Sequence, residues 1–126
     1  QYIGRLLNTG RIQVRTGETT FTYHDPCELG RGSGIYDEPR EVIKRLGTFT
    51  EVGESRENAL CCGSSLADTV ISDGGQRAIS SALADEFAAT AADVVVTSCP
   101  LCKKAIGRNV ERVEDLAEAV AGALAR

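Results

Sequence analysis

The stretch DVVVTSCPLC, residues 93–102, opens on a β-branched run that does not alternate and closes on two cysteines three apart. Three consecutive valines suit a strand covered on both faces, the mark of a parallel sheet between helix layers; a half-buried strand would alternate. Upstream, Ile79, Leu83 and Phe87 fall at i, i+4 and i+8 among alanines, which predicts a long amphipathic helix from about Gly75 to Ala91. In DEPREVIKRLG, 37–47, Asp37 or Glu38 suits a cap, Pro39 suits a first turn, Val42, Ile43 and Leu46 share a face, and Gly47 suits the end. TFTEV, 48–52, reads as a short strand. RIQVR, 11–15, and FTYH, 21–24, show period-two apolar positions around TGE and read as a hairpin or one longer edge. Val113, Leu116, Ala117, Val120 and Leu124 predict a terminal helix, and SDGG, 72–75, reads as a turn. The alternation predicts an α/β fold: a small sheet, parallel or mixed, with crossover helices and cysteine-bearing loops at the carboxyl ends of its strands.

A chain of 126 residues with 42% hydrophobic content is the size of one domain with one core, so residues 1–126 are read as a single unit. The formal net charge of −4 argues against nucleic acid as a partner. No run of 18 apolar residues is present, and QYIGRLLNTG at the start lacks the apolar centre of a secretory signal. These features predict a cytoplasmic chain without direct membrane insertion. The start at Gln1 reads as that of a piece cut from something longer.

The five cysteines carry the chemistry. An odd count without a signal peptide favours thiol or metal chemistry over a disulfide framework. Cys61 and Cys62 are adjacent; disulfides prefer Cα atoms about 4.4–6.8 Å apart whereas neighbours sit about 3.8 Å apart, so the pair is expected to be shared between partners. Cys27 follows FTYH, Cys61 and Cys62 follow TFTEV, and Cys99 and Cys102 follow DVVVTS. In an open parallel sheet these loops share the edge where ligands bind, so the three segments are expected to converge. Bare thiolates so gathered would repel by about 4 kcal/mol per close pair at an effective dielectric of 20, which asks for a metal or for protonation. Zinc needs four ligands, and only CPLC is a zinc-type knuckle; an iron–sulfur cluster matches five sulfurs better. A dithiol redox site at CPLC and buried structural cysteine are the other readings. The first is disfavoured because only 24 residues follow Cys102, and the second because an adjacent pair in a Gly-Ser loop suits a core poorly.

HDPCELGR, then ENALCCG with 33 residues between Cys27 and Cys61, then SCPLC with 36 between Cys62 and Cys99, is similar to the cysteine-rich CCG domain of heterodisulfide reductases and of the iron–sulfur subunits of glycolate, lactate and glycerol-3-phosphate oxidising systems. The resemblance runs from about Thr22 to Arg108. It implies that Cys27, Cys61, Cys62, Cys99 and Cys102 hold a noncubane 4Fe-4S cluster, with His24, Gly63 and Lys103 beside it. It also implies electrons arriving from partner iron–sulfur or flavin subunits and leaving to a disulfide or another acceptor. The domain alone would be inactive, and partners could bring it to the inner face of a membrane. Two departures stand out: CCGSSLAD where the family often has a glycine run, and Glu28 where it often has histidine. The alternatives are a zinc-binding structural module using four of the cysteines and a pure electron-transfer module. His24 has two readings, an exposed or capping residue and a hydrogen-bond donor near the cluster. Arg31, Lys103 and Lys104 flank the cysteine motifs; the lysines read as a solvated face or as charge offset. Without metal the core is expected to fold, with residues 59–75 its loosest stretch.

Overall fold

The computed structural model describes residues 1–64 and 67–125. Its elements run in the order α1 (Tyr2–Asn8), β1 (Thr20–His24), α2 (Asp37–Leu46), β2 (Thr48–Phe49), a 3-10 turn (Arg56–Asn58), α3 (Ala67–Val70), α4 (Asp73–Ala89), β3 (Val94–Thr97), α5 (Pro100–Ile106), β4 (Val113–Asp115) and α6 (Leu116–Ala123). The four strands form one sheet in the order β2-β1-β3-β4, and every pairing is parallel. The α/β prediction therefore holds in its all-parallel form. Residues 65 and 66, within the stretch expected to be loosest, lie outside the described residues.

Val94, Val95 and Val96 are all buried and serve both faces of the sheet. Val94 and Val96, with Phe21 and Tyr23 of β1, pack against Leu7 of α1, Val42, Ile43 and Leu46 of α2, and Leu116, Ala119 and Val120 of α6. Val95 turns the other way, to Leu83 and Phe87 of α4 and Ala105 and Ile106 of α5. Each such side chain contributes about 1.5–3 kcal/mol when fully buried, so the two layers hold the sheet between them. Gly47 is required where α2 hands over to β2, because a Cβ there would run into the Thr19 carbonyl.

Four expectations are corrected. RIQVR and FTYH form no hairpin: β1 is flanked by β2 and β3, and Val14 instead makes an isolated antiparallel bridge to Leu124. The TFTYH strand is buried at four of its five residues, so it is a central strand and no edge. Val113 belongs to a fourth strand, not to the terminal helix, which begins after Asp115. Gly74 and Gly75 lie in the first turn of α4, because the Ser72 side chain accepts a hydrogen bond from the Gly75 N–H and caps the helix. Tyr2–Asn8 is a helix without a sequence expectation, and Leu7 is its buried anchor.

Candidate metal centre

The strand order reverses between β1 and β3, which leave their shared carboxyl edge toward opposite sides; ligands favour such a crevice. The last pair of that register is His24 opposite Thr97. Cys27 lies three residues past β1. Cys61 and Cys62 follow the 3-10 turn beyond β2. Cys99 is the N-cap of α5, Pro100 opens the helix and Cys102 lies in its first turn. All five cysteines line one cavity of about 100 Å³, together with His24, Glu28, Arg31, Leu60 and Leu101 among others. Cys62 and Cys102 are buried, Cys99 is half-buried, Cys27 and Cys61 are exposed, and all five are free thiols.

The inner pair shares a proton unequally. Cys62 falls from the ordinary thiol value of 9.0 to about 6, first because the Cys102 thiol donates a hydrogen bond to its sulfur. The same bond, reinforced by burial, pushes Cys102 up. At Cys61 the Gly63 N–H donates to Sγ at 3.4 Å. Gly63 has φ +77°, the left-handed region that favours glycine, and a Cβ there would meet the Ile79 side chain at 3.4 Å. Among the described residues no three His, Cys, Asp or Glu side chains are drawn together tightly enough to grip a single ion. The thiols come from three loops around one cavity, with Cys102 within hydrogen-bonding reach of both Cys62 and Cys99. Their donor chemistry, five sulfurs with N–H support, fits a group of several atoms with separate attachment points.

His24 is 3% exposed. Its Nε2 lies 3.0 Å from the Leu60 carbonyl, which can only accept, so Nε2 carries the hydrogen and Nδ1 faces Thr97 Oγ1 at 3.4 Å. Burial lowers its pKa and keeps the ring neutral. The exposed or capping reading of His24 is thus set aside. Arg31 Nη1 donates to the carbonyls of Ala59 at 2.8 Å and Glu57 at 3.3 Å. Lys103 and Lys104 do not line the cavity; Lys103 Nζ pairs with Glu118 at 2.6 Å.

Sequence reasoning passed over the ion network beneath these residues. Arg40, 3% exposed, forks onto both Asp25 oxygens at 2.8 and 2.7 Å and both Glu51 oxygens at 2.9 and 2.7 Å, and donates to the Tyr36 carbonyl at 2.8 Å. A guanidinium has five N–H donors, and here each has an acceptor. The buried Asp25 Oδ2 also accepts from the Arg56 N–H at 2.7 Å. Arg56 has φ +57°, a conformation that costs a residue with a Cβ about 1–2 kcal/mol. Arg40 stands on the apolar side of α2, three residues before Ile43. In the sequence Arg40 shows only as a charged residue within an apolar stripe, and its partners are set by the fold.

The stretch that bears the cysteines is also the stretch that known proteins share with this chain. The profile of the CCG cysteine-rich domain matches residues 21–107. A dihydromethanophenazine:CoB–CoM heterodisulfide reductase polypeptide of Methanosarcina barkeri is 33% identical over 98% of this chain and 32% of its own length. A protein of Chromohalobacter salexigens described as a probable membrane-anchored ferredoxin is 33% identical over 98% of the chain and 20% of its own length. The EtfAB:quinone oxidoreductase of Syntrophomonas wolfei is 35% identical over 74% of the chain and 14% of its own length. The chain thus spans a third or less of these relatives. No solved structure matches it. Among the described residues no helix is long and apolar enough to cross a membrane. The matched segment runs from β1 through α5 and contains all five cysteines, and on that basis the chain belongs to the CCG cysteine-rich domain family.

Proposed function

We propose that this chain is the iron–sulfur redox domain of a heterodisulfide reductase-like oxidoreductase, in which Cys27, Cys61, Cys62, Cys99 and Cys102 hold a noncubane 4Fe-4S cluster. The observation that carries the reading is the gathering of five thiols from three separate loops around one cavity at the sheet's carboxyl edge. Five sulfurs around one cavity exceed the four ligands of a tetrahedral zinc site, which supports a polynuclear group over a lone zinc ion. The names of relatives, a heterodisulfide reductase subunit and an iron–sulfur-binding oxidoreductase among them, support the same reading.

A bound cluster would supply one-electron storage and transfer at this edge. The chain's own residues prepare the place. Gly63 N–H directs a donor at Cys61 Sγ. Leu60 and Leu101 give the cavity apolar wall, which limits water. Cys27 and Cys61 keep the mouth open toward solvent, where an acceptor such as a disulfide, or a partner subunit, would approach. Electrons would come from other iron–sulfur or flavin subunits, on the cytoplasmic side, and the domain alone would show no complete activity.

Iron and acid-labile sulfide analysis after anaerobic reconstitution tests the proposal. About four irons per chain, with sulfide, is the expected result. Stoichiometric zinc without sulfide would replace it with the structural module.

A further inference from the structure

Four backbone groups of the segment that delivers Cys61 and Cys62, at Arg56, Glu57, Ala59 and Leu60, are held by side chains from residues 24–31. Asp25 accepts from the Arg56 N–H at 2.7 Å, Arg31 donates to the Glu57 and Ala59 carbonyls, and His24 donates to the Leu60 carbonyl at 3.0 Å. The turn adds its own bonds, Asn58 N–H to the Ser55 carbonyl at 3.0 Å and Ala59 N–H to the Arg56 carbonyl at 3.1 Å. Nothing in this set is a cysteine or requires a metal.

We infer that His24, Asp25 and Arg31 are positioning residues that fix the Cys61–Cys62 segment before any metal binds. The inference deepens the proposed function and rests on its cysteine site. The clamp reaches across from the Cys27 side of the cavity, so it ties two of the three cysteine-bearing loops to each other. Asp25 is the fixed point, because Arg40 holds both its oxygens and is itself held by Glu51 and Tyr36. His24 contributes through its neutral Nε2–H tautomer, and the opposite ring nitrogen meets Thr97 on β3. The geometry of the pair is thereby referred to β1 and β3, the most extensively paired strands of the sheet. This narrows the stretch expected to be loosest without metal, since residues 59 and 60 are anchored from outside.

The test is amide hydrogen exchange, read by NMR on the reduced, metal-free protein, at Arg56, Asn58, Ala59 and Gly63, with Leu83 of α4 as the internal reference. Arg31 is exposed, so Arg31→Ala leaves the core intact. His24→Phe removes the ring donor, and His24→Gln returns an N–H near the Nε2 position. The expected result is protection of the four amides in the wild type, and exchange at least fivefold faster in Arg31→Ala and His24→Phe with Leu83 unchanged. His24→Gln should recover most of the protection. In iron- and sulfide-loaded protein the same two variants should shift the electron paramagnetic resonance g-values, and His24→Gln should restore them. Unprotected amides in the wild type, or an Arg31→Ala protein whose four amides stay within fivefold of it, would overturn the inference. Protected amides in a wild type that takes up no iron would uphold the clamp and defeat the iron–sulfur reading, so the two fail separately.

Discussion

Cys62 and Cys102 form a donor–acceptor pair whose titration has a definite sign. Cys62 is depressed to about 6 because Cys102 donates to its sulfur, so Cys102→Ala should return Cys62 toward the ordinary value of 9.0. Ultraviolet thiolate absorbance across a pH titration of the metal-free protein would read the shift. A linked stability effect follows: as pH falls from 9.0 to about 6, the unfolded thiol gains a proton that the folded Cys62 does not, and stability declines. Above that range the raised Cys102 acts oppositely, since the unfolded chain releases its proton first. Urea midpoints should therefore pass through a maximum near pH 9 that the Cys62→Ala, Cys102→Ala double variant lacks. Arg40 poses a different question, because its two carboxylate partners and its five donors are all committed. Arg40→Met would leave Asp25 buried without its cation and should cost about 3–5 kcal/mol of stability in the metal-free protein, as measured by denaturant unfolding.

At the scale of elements, α6 begins with a capping box: the Asp115 side chain accepts from the Ala117 N–H at 2.8 Å and Glu118 accepts from the Asp115 N–H at 2.7 Å. Asp115→Ala should lower stability by about 1 kcal/mol, visible as a small fall in melting temperature, with no change at the cysteines. Elements with a strong local signature were legible in the sequence. The valine run was a two-faced strand, and Val42, Ile43 and Leu46 were the buried stripe of a helix that ends at Gly47. The elements missed are short: Val113–Asp115 has three residues, and its valine also suits the apolar stripe of the helix that follows. Tyr2–Asn8 has one buried residue, too few for a periodic pattern. The site was legible as five cysteines downstream of strands. Its support was not, because Asp25, Arg40 and Glu51 meet only after β1, α2 and the chain beyond β2 are packed. Propensity contains no trace of a contact made across the fold.

At the scale of the molecule, the two faces of the sheet depend on the site to different degrees. The layer of α1, α2 and α6 contains no cysteine, whereas Cys62 and Cys102 are members of the apolar cluster under α4 and α5. The metal-free protein should therefore unfold cooperatively with a retained core, and metal removal should increase exchange chiefly on the α4–α5 side. A chelated sample without a thermal transition would instead make the metal structural. The central claim is that the five thiols hold several irons as one group. X-ray absorption at the iron edge of the reconstituted protein tests it most directly, because it separates sulfur neighbours from metal neighbours. An iron–sulfur shell accompanied by iron–iron scattering is the predicted result; a sulfur shell with no metal–metal scattering would contradict the account.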